Sequence, residues 1–365
     1  MTTPRPEASL RTLDHLVEAG LVAPAEKPEI EKVLRRYALA ITPAMAGIIA
    51  ADDPQSGVQR QFVPSAQELV TAEGELDDPI GDEPFAPVKG IVHRYEDRVL
   101  LKLHHACPVY CRFCFRREQV GPGGAALNGG ELDAALAYIA ADPGIWEVIL
   151  SGGDPLILPP ARLRSVIERL CAIDHVGVIR IHSRVPVVSP ERIDAELVAA
   201  LRQAKPVYVV LHCNHPDELG PAARAALARL ADAGLPLLSQ SVLLRGINDD
   251  AQTLTRLFRR LVENRVKPYY LHHADLARGT GHFRTSIGEG QALMGQLRGK
   301  VSGLCQPTYV LDIPGGHGKV PIGPAYVEAA GPGAYALRDP AGGRHMYREC
   351  LPAEAGSGAM PLSSA

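Results

Sequence analysis

Three cysteines in the middle of this chain have types and a spacing that could do chemistry. Cys107, Cys111 and Cys114 follow the pattern Cys-x3-Cys-x2-Cys, and an aromatic residue precedes the second and the third. Cysteine thiolates hold the irons of 4Fe–4S clusters. Three thiolates leave the fourth iron without a protein ligand, so that iron is free to bind and activate a small molecule. The loop is therefore a candidate catalytic cluster site.

The alternative is that this loop binds zinc. Structural zinc sites take four nitrogen or sulfur ligands, and His104 or His105 could supply the fourth. Cys-x2-Cys pairs are more typical of zinc sites than the spacing found here. The total of seven cysteines is odd, and the other four stand singly, which favours a reducing compartment over a disulfide framework.

A glycine-rich loop nearer the C-terminus is the second candidate. Residues 312–321 read DIPGGHGKVP, with Lys319 closing the glycine-rich part. The loop fails the template Gly-x4-Gly-Lys-Ser/Thr, because Ile313 and Val320 stand where a glycine and a hydroxyl are required. A lysine presented by such a loop can instead form an imine with an aldehyde cofactor such as pyridoxal phosphate (PLP). An ordinary surface turn with a solvated lysine is the alternative.

A PLP site also requires cations for the phosphate group. Arg94, Tyr95 and Arg98 precede an apolar segment and supply two guanidinium groups and a phenol. Arginine is suited to bidentate phosphate contacts. A solvated run of charges is the alternative interpretation of these residues.

These candidates must be positioned by a regular frame, and an alternation of strand and helix patterns begins near residue 98. The predicted strands are Val99–His104, Trp146–Ser151, Val176–His182, Val207–His212, Leu235–Leu244, Val266–His272 and Thr308–Leu311. The predicted helices between them are Glu131–Ala141, Ala161–Ile173, Pro190–Gln203, Pro221–Ala233, Ala251–Asn264 and Gly288–Arg298. Apolar strands alternating with helices predict a parallel sheet covered by helices, and six or more such units favour a barrel or an open part-barrel.

We expect three regions along the chain. Residues 1–92 hold amphipathic stretches and a proline- and acid-rich linker, residues 93–307 form the barrel core, and residues 308–365 form a C-terminal segment with Lys319. The tail after about Met346 is rich in small residues and is expected to be frayed. Polar residues follow most predicted strands, so they should converge on one mouth of the barrel.

Composition excludes several classes of protein. A net charge of −3 over 365 residues, without a basic stripe, argues against nucleic-acid binding. The N-terminus lacks the apolar core of a secretion signal, and no segment approaches the roughly 18 apolar residues of a membrane helix. We therefore expect a soluble cytoplasmic protein without a membrane partner.

Taken together, the motifs resemble the lysine 2,3-aminomutase family of radical S-adenosylmethionine (SAM), PLP-dependent enzymes. The resemblance runs from about His93 to Lys319 with even spacing. It rests on residues 93–100, the cysteine loop with Arg116 and Arg117, and residues 151–155, 179–186, 212–216, 240–246, 269–276, 282–285 and 312–319. It implies a partial (β/α)6 radical SAM barrel that binds a 4Fe–4S cluster, SAM and PLP.

The resemblance also implies a role for each matching residue. Cys107, Cys111 and Cys114 match the cluster ligands, and Lys319 matches the PLP lysine. The remaining matches are Arg94, Tyr95 and Arg98 to the PLP phosphate, Arg116 to the substrate α-carboxylate, Gly152, Gly153, Asp154, His212 and Gln240 to SAM, and Asp275 and Asp312 to the substrate side-chain ammonium.

The residue types of the pair Asp275 and Asp312 also predict the charge of the substrate. Removing an ammonium from water is costly unless opposite charge meets it, so two acids opposite an arginine select an amino acid with a cationic side chain. The implied reaction is that of an isomerase: a SAM-derived radical removes hydrogen from C3 of L-lysine, and the α-amino group moves from C2 to C3 to give β-lysine. An electron donor such as flavodoxin or ferredoxin is implied, and a homo-oligomer is possible.

Three alternatives stay open. The same chemistry could act on another amino acid such as arginine, or it could supply β-lysine for modification of elongation factor P. A non-catalytic zinc- or cluster-binding protein is the third. The chain departs from the family at the intersubunit zinc site, because Asp250 stands at one cysteine position and Cys350 is the only cysteine near the C-terminus. We therefore expect no such zinc. His317 and the pair His272-His273 also look unusual for the family.

Overall fold

The strands of the barrel form one sheet in chain order. The computed structural model describes residues 8–49, 57–123 and 126–350. The strands of the main sheet are β1 Ile91–Tyr95, β2 Arg98–His104, β3 Glu147–Gly152, β4 Val178–Ser183, β5 Val207–His212, β6 Leu237–Leu243, β7 Val266–His273, β8 Thr308–Asp312 and β9 Lys319–Pro321. Strands β2 to β8 are parallel, while β1 and β9 run antiparallel at the two edges. Within the described residues β1 and β9 do not pair with each other, so the barrel is open.

Helices cover one face of this sheet. They are α1 Leu13–Glu18, α2 Lys27–Arg36, α3 Pro43–Ala46, α4 Gln59–Phe62, α5 Gly129–Ala141, α6 Pro160–Cys171, α7 Val185–Val188, α8 Ala195–Leu201, α9 Pro221–Asp232, α10 Ala251–Glu263 and α11 Ile287–Leu297. One helix follows each of β2 to β7, which gives the six β/α units predicted from the sequence. None of the described helices is long and apolar enough to cross a membrane.

Helix α10 shows how the sequence specifies these units. Its N-cap is Asp250, whose side chain accepts a hydrogen bond from Thr253 N at 2.8 Å. Leu254, Leu257 and Leu261 repeat at helical spacing and are completely buried against the sheet. Asp250 therefore has a local structural role as the cap of this helix.

Strand β2 alternates between the two faces of the sheet. Val99, Leu101 and Leu103 are buried on the face that packs against the helices, while Leu100 and Lys102 are only partly buried on the opposite face. A lysine on this second face points away from the apolar core. Strand β2 thus delivers Lys102 to the interior of the open barrel.

The structure corrects the sequence predictions at several points. The predicted helix Pro190–Gln203 is interrupted, since a short 3-10 turn at Pro190–Arg192 precedes α8. Five strands were missed: β1 and β9 at the edges of the main sheet, and β10 Val327–Gly331, β11 Ala334–Arg338 and β12 Arg344–Arg348. Strands β10 and β12 are exposed at every residue, so no apolar period marks them. Strand β12 extends to Arg348, and residues 351–365, which make up most of the tail expected to be frayed, lie outside the described residues.

The chain divides into two compact units. Residues up to Gly323 form the first, which contains the whole open barrel, and residues from Pro324 form a small second unit built on β10 to β12. Every candidate site residue belongs to the first unit. The region bounds predicted from the sequence stay a prediction.

Candidate active site

The cysteine loop follows β2 and is attached to the N-terminal region through its backbone. Tyr110 N donates to Ala40 O at 3.2 Å, and Arg112 N donates to Gln61 O at 2.9 Å. These bonds satisfy backbone donors of a loop that has no regular structure of its own. The N-terminal region, predicted as a helical lead-in, therefore supports the loop directly.

A buried carboxylate strengthens this attachment. Glu68 is fully buried and accepts hydrogen bonds from Arg112 Nε at 3.0 and 3.1 Å, and Arg117 Nη2 donates to the same carboxylate. Burial acts to raise the pKa of Glu68, but the charges of Arg112 and Arg117 hold it below its ordinary value. Both arginines lie beside cluster-loop cysteines in the sequence, so this network fixes the loop at two points.

The glycine loop after β3 lies against the start of the cysteine loop. Gly153 N donates to His104 O at 2.6 Å, and Asp154 N donates to Ala106 O at 2.9 Å. A Cβ at Gly153 would lie 2.0 Å from Ala106 O, and Gly152 has a φ of +101°. Only glycine permits this approach of the two backbones. The predicted SAM loop and the cysteine loop are thereby brought together.

Asp154 links this loop to the end of β4. Its carboxylate accepts hydrogen bonds from Ser183 Oγ at 2.8 Å, Arg184 N at 2.7 Å and Val185 N at 3.2 Å. Burial raises the pKa of Asp154 despite these donors. The structure thus gives Asp154 a positioning role through its side chain, and its contact with SAM stays a prediction.

Arg184 lies near the cluster site, and no role was predicted for it from the sequence. Its Nη1 lies 2.7 Å from Cys111 Sγ, and its Nη2 donates to Glu218 Oε2 at 2.7 Å and Gln61 Oε1 at 2.6 Å. Burial would lower its pKa, but Cys111 and Glu218 raise it, so the guanidinium stays charged. A fixed cation stabilises the thiolate form that binds metal. The position of Arg184 just after β4 was the available signal.

The other predicted SAM residues lie on the next two strands. His212 ends β5 and is paired in register with Gln240 on β6. The ring of Phe113, from the cysteine loop, stacks on His212 with centroids 5.7 Å apart. Burial holds the pKa of His212 well below its ordinary value, so the imidazole is neutral. The structure therefore brings His212 and Gln240 to the same strand ends as the cysteine loop.

The cysteine loop carries the donor set of an iron–sulfur cluster. Cys107, Cys111 and Cys114 are all free thiols, and Cys107 is close enough to the other two to feel their charge. In such a cluster each thiolate would hold a different iron.

Lys319 lies at the other side of the mouth, at the start of β9. Its backbone N donates to Tyr95 Oη at 2.8 Å, which joins it to the predicted phosphate segment. Gly315, Gly316 and Gly318 have φ angles of +83°, +83° and +91°, so the loop requires glycine at these positions. The glycine-rich pattern is thus explained by backbone geometry that presents Lys319.

Two carboxylates and a histidine surround the Lys319 amine. Nζ of Lys319 donates to Asp312 Oδ2, and His272 Nδ1 lies 3.3 Å from the same Nζ and 3.4 Å from that oxygen. Burial acts to raise the pKa of Asp312, but His272 and Lys319 hold it well below its usual range. Burial and repulsion by Asp312 raise the pKa of Asp275 to about 7. The predicted acid pair therefore shares one environment with Lys319.

The predicted anion-binding residues meet on an unexpected carboxylate. Asp82 accepts hydrogen bonds from Arg94 Nη2 at 3.0 Å, Arg116 Nε at 3.1 Å and Arg116 Nη2 at 2.9 Å. Its side chain is 2% exposed. Arg98 instead stacks over the Tyr95 ring at 3.8 Å from the centroid. The sequence placed Asp82 in a linker, where an isolated acid gives no signal of this role.

The linker is in fact a wall of the site. A Cβ at Gly81 would lie 2.6 Å from Gly316 N, and a Cβ at Gly316 would lie 2.3 Å from the Phe85 ring. The segment with Asp82 therefore packs directly on the loop with Lys319. Asp82 of this segment holds Arg94 and Arg116, and the neighbouring Gly81 packs on the loop that presents Lys319.

Unpartnered polar atoms show that this cavity suits a polar cofactor. Arg94 Nε, Arg180 Nε and His182 Nε2 are buried without a hydrogen-bond partner in the described part of the protein. Buried polar atoms are rarely left without a partner, so these three fit a polar molecule that completes the site. His182 is neutral, because burial holds its pKa well below the ordinary value.

Comparison with known proteins identifies the class first. A model of the radical SAM superfamily matches residues 101–258, from β2 to α10. This confirms the predicted fold class, a parallel open barrel with helices, and makes the protein a radical SAM enzyme. A structure of a radical SAM methyltransferase from Sphaerobacter thermophilus covers 60% of this chain and 68% of its own at 19% identity, with a TM-score of 0.43, too low to carry an argument.

The family follows from closer relatives. A lysine-2,3-aminomutase model matches residues 294–359. The chain is 42% identical to an L-lysine 2,3-aminomutase of Acetoanaerobium sticklandii over 87% of this chain and 77% of that protein. It is 40% identical to the enzyme of Fusobacterium nucleatum over 93% and 80%, respectively. The chain therefore belongs to the lysine 2,3-aminomutase family, as the resemblance predicted.

Membership establishes the class of enzyme and its cofactors. The family consists of isomerases that use a 4Fe–4S cluster, SAM and PLP, so the three predicted cofactors are those of the family. The protein is therefore an enzyme, and the alternative of a non-catalytic metal-binding protein is excluded. The family also extends beyond lysine, since a glutamate 2,3-aminomutase of Clostridioides difficile is 34% identical over 89% of this chain and 77% of that protein.

Proposed function

We propose that this protein moves the α-amino group of L-lysine from C2 to C3 and so makes β-lysine, with PLP as well as SAM bound. The observation that carries the proposal is the arrangement of charges around Lys319. Asp312 accepts a hydrogen bond from the Lys319 amine, and Asp275 is close enough to Asp312, Lys319, Arg116 and Arg94 for their charges to affect its pKa. Acids at one end and guanidinium groups at the other complement an amino acid with a cationic side chain.

Each predicted residue has a role in this proposal. The cluster and SAM would supply a radical that removes hydrogen from C3, and PLP would stabilise the migrating nitrogen. Lys319 would hold PLP covalently, and Arg116 would bind the substrate carboxylate. The cluster would be held by Cys107, Cys111 and Cys114, SAM by Gly152, Gly153, Asp154, His212 and Gln240, and the PLP phosphate by Arg94, Tyr95 and Arg98.

The chain itself prepares the site for a cation. Asp312 is ionised, because His272 and Lys319 stabilise its carboxylate. Asp275 is partly protonated near neutral pH, since its pKa is about 7. The two acids repel each other when both are ionised. A substrate ammonium bound between them attracts both carboxylates and offsets this repulsion. This is the reason that lysine is favoured over an acidic amino acid.

The proposal is tested by anaerobic assay with SAM, PLP, a reductant and a panel of L-lysine, L-arginine, L-glutamate and L-alanine. We expect β-lysine from L-lysine and none from the Lys319→Ala variant. β-Arginine as the main product would support the same chemistry on arginine instead. No product from any amino acid, with iron and PLP both bound, would reject the proposal.

Partners and assembly complete the proposal. Reduction of the cluster requires an electron donor, for which a flavodoxin or ferredoxin is suited. The proposal also includes a homo-oligomer, which the elution volume of the loaded enzyme in size-exclusion chromatography tests. Supply of β-lysine for the modification of elongation factor P is tested by following transfer of the product β-lysine to that factor.

A further inference from the structure

One cation of the site has no role so far. Lys102 lies on β2, on the face that looks into the open barrel, and its side chain is 12% exposed. Its Nζ is 3.8 Å from Asp82 Oδ2, which is too far for a hydrogen bond. Among the described residues it has no closer acidic partner. A largely buried ammonium that lies beyond hydrogen-bond distance of its nearest carboxylate is suited to bind a further anionic group.

The charges around Asp82 do not balance. This single carboxylate meets three cations, Arg94, Arg116 and Lys102. Burial lowers the pKa of Lys102, while the charge of Asp82 acts to raise it. The cations lower the pKa of Asp82 although burial acts in the opposite direction. Asp78 and Glu83 also act on Lys102 through their charge. Among the described residues, Asp82 is the one carboxylate at ion-pair distance from all three cations, so a bound anion would add compensating charge there.

The geometry also leaves one edge of Arg116 available. Its Nε and Nη2 both donate to Asp82 Oδ2, and its Nη1 donates to none of the residues that the structure describes. Lys102 Nζ approaches that same oxygen at 3.8 Å. The two cations are thus arranged around one point. Both cations lie at this carboxylate, so an anion that binds at Arg116 is attracted by the Lys102 ammonium as well.

We infer that Lys102 is a second binding residue for the α-carboxylate of the substrate, beside Arg116, and that Asp82 positions both cations. The inference rests on the proposed function only in taking an α-amino acid as the substrate. Asp82 is suited to positioning because its segment packs on the loop that presents Lys319. The distance between the carboxylate site and the PLP lysine is then fixed by one rigid wall.

Binding measurements test this role without relying on turnover. The PLP-loaded enzyme is titrated calorimetrically, under anaerobic conditions, with L-lysine and with L-lysinamide, in which a neutral amide replaces the carboxylate. We expect Lys102→Met to weaken L-lysine binding by about tenfold to hundredfold, the effect of losing one hydrogen bond to a charged group. Binding of the amide should change little, so the ratio of the two affinities falls. Lys102→Arg should retain most of this ratio.

Controls separate binding from structure. Lys89→Met removes a lysine whose side chain is 60% exposed, and it should leave both affinities unchanged. Asp82→Asn should also weaken the binding of L-lysine, and Asp82→Glu should restore that binding in part. Glu83→Gln, at the neighbouring position, should leave the binding of L-lysine unchanged. If Lys102→Met fails to fold, as judged by its thermal melt, Lys102→Gln replaces it.

The outcomes distinguish this inference from the proposed function. An unchanged ratio of acid to amide affinity in Lys102→Met, or an equal loss for both ligands, would overturn the inference even if β-lysine is made. If the wild type binds L-arginine and not L-lysine, the lysine proposal fails, and the same comparison with L-argininamide decides on Lys102. No binding of any amino acid would overturn both.

Discussion

The two ends of the active site are built on different physical principles. At the cluster end, the cysteine loop is fixed by backbone hydrogen bonds, by the close approach of Gly153 to Ala106, and by the buried carboxylates of Glu68 and Asp154. At the lysine end, the charges of Lys319 and Asp312 affect the pKa values of His272 and Asp275, and His272 and Lys319 lower the pKa of Asp312. The cluster end is rigid, whereas the lysine end contains side chains whose protonation can change.

The difference fits what each end must do. A cluster with an open iron requires fixed thiolates and protection from water. A lysine that binds and releases an amino acid must exchange protons, and groups with pKa values near neutrality can do so. The comparison teaches that rigidity in this protein comes from the N-terminal region and the glycine loop, whereas reactivity comes from the β7 to β9 edge. Four sets of variants break or sharpen it.

The largest effects are expected from removing one ligand at each end. Cys111→Ala should abolish the cluster, and with it activity, while PLP still binds to Lys319. Lys319→Ala should abolish covalent PLP binding and activity while iron and sulfide stay bound. Iron analysis and PLP absorbance measure the two separately. Loss of both cofactors in either variant would show that the two ends do not assemble independently. Cys171→Ala is the matched cysteine control.

The rigid end should be sensitive to a neutral substitution in its buried network. Glu68→Gln removes a charge that two buried arginines require, and breaking such a pair costs roughly 3–5 kcal/mol. We expect a loss of this size in the free energy of unfolding measured by urea in the metal-free protein. The control Glu73→Gln changes an exposed acid five residues away. Equal stability of the two variants would contradict the role of Glu68.

A smaller loss is expected at the glycine loop. A Cβ at Gly153 would lie 2.0 Å from Ala106 O, so Gly153→Ala must shift one of the two loops. Overpacking of this kind costs about 1–3 kcal/mol. We expect a lower melting temperature and slower reconstitution of the cluster. Gly288→Ala, where a Cβ would meet nothing within 4 Å, should show neither. A normal cluster in Gly153→Ala would show that the approach is dispensable.

The smallest effect is a pH dependence at the titratable end. The pKa of Asp275 is about 7 in the folded protein, above the roughly 3.9 of an unfolded aspartate. The folded state therefore binds this proton more tightly, and Asp275 costs stability as pH rises through 7. Asp275→Asn removes the cost. The gain in melting temperature of PLP-free Asp275→Asn should be larger at pH 8 than at pH 5. Exposed Asp174→Asn should show no such difference, and an equal gain at both pH values would contradict the raised pKa.

Much of this account was available from the sequence, for physical reasons. Apolar strands and amphipathic helices alternate with turns, so the six β/α units and the convergence of Cys107, His212 and Asp275 on one mouth could be predicted. Local pattern does not reveal partners that are distant in the chain. Asp82 was placed in a linker, and Glu68 in an irregular lead-in, because their significance depends on arginines that folding brings to them. The exposed strands β10 and β12 lack any burial period.

The central claim is that both ends act on a single amino acid. It is tested most directly by incubating the enzyme anaerobically with L-lysine that carries deuterium at C3, and by measuring deuterium in the recovered SAM by mass spectrometry. The account predicts deuterium at the 5′ carbon of SAM together with β-lysine, and neither in Cys111→Ala or Lys319→Ala. β-Lysine formed without any transfer of deuterium to SAM would contradict it.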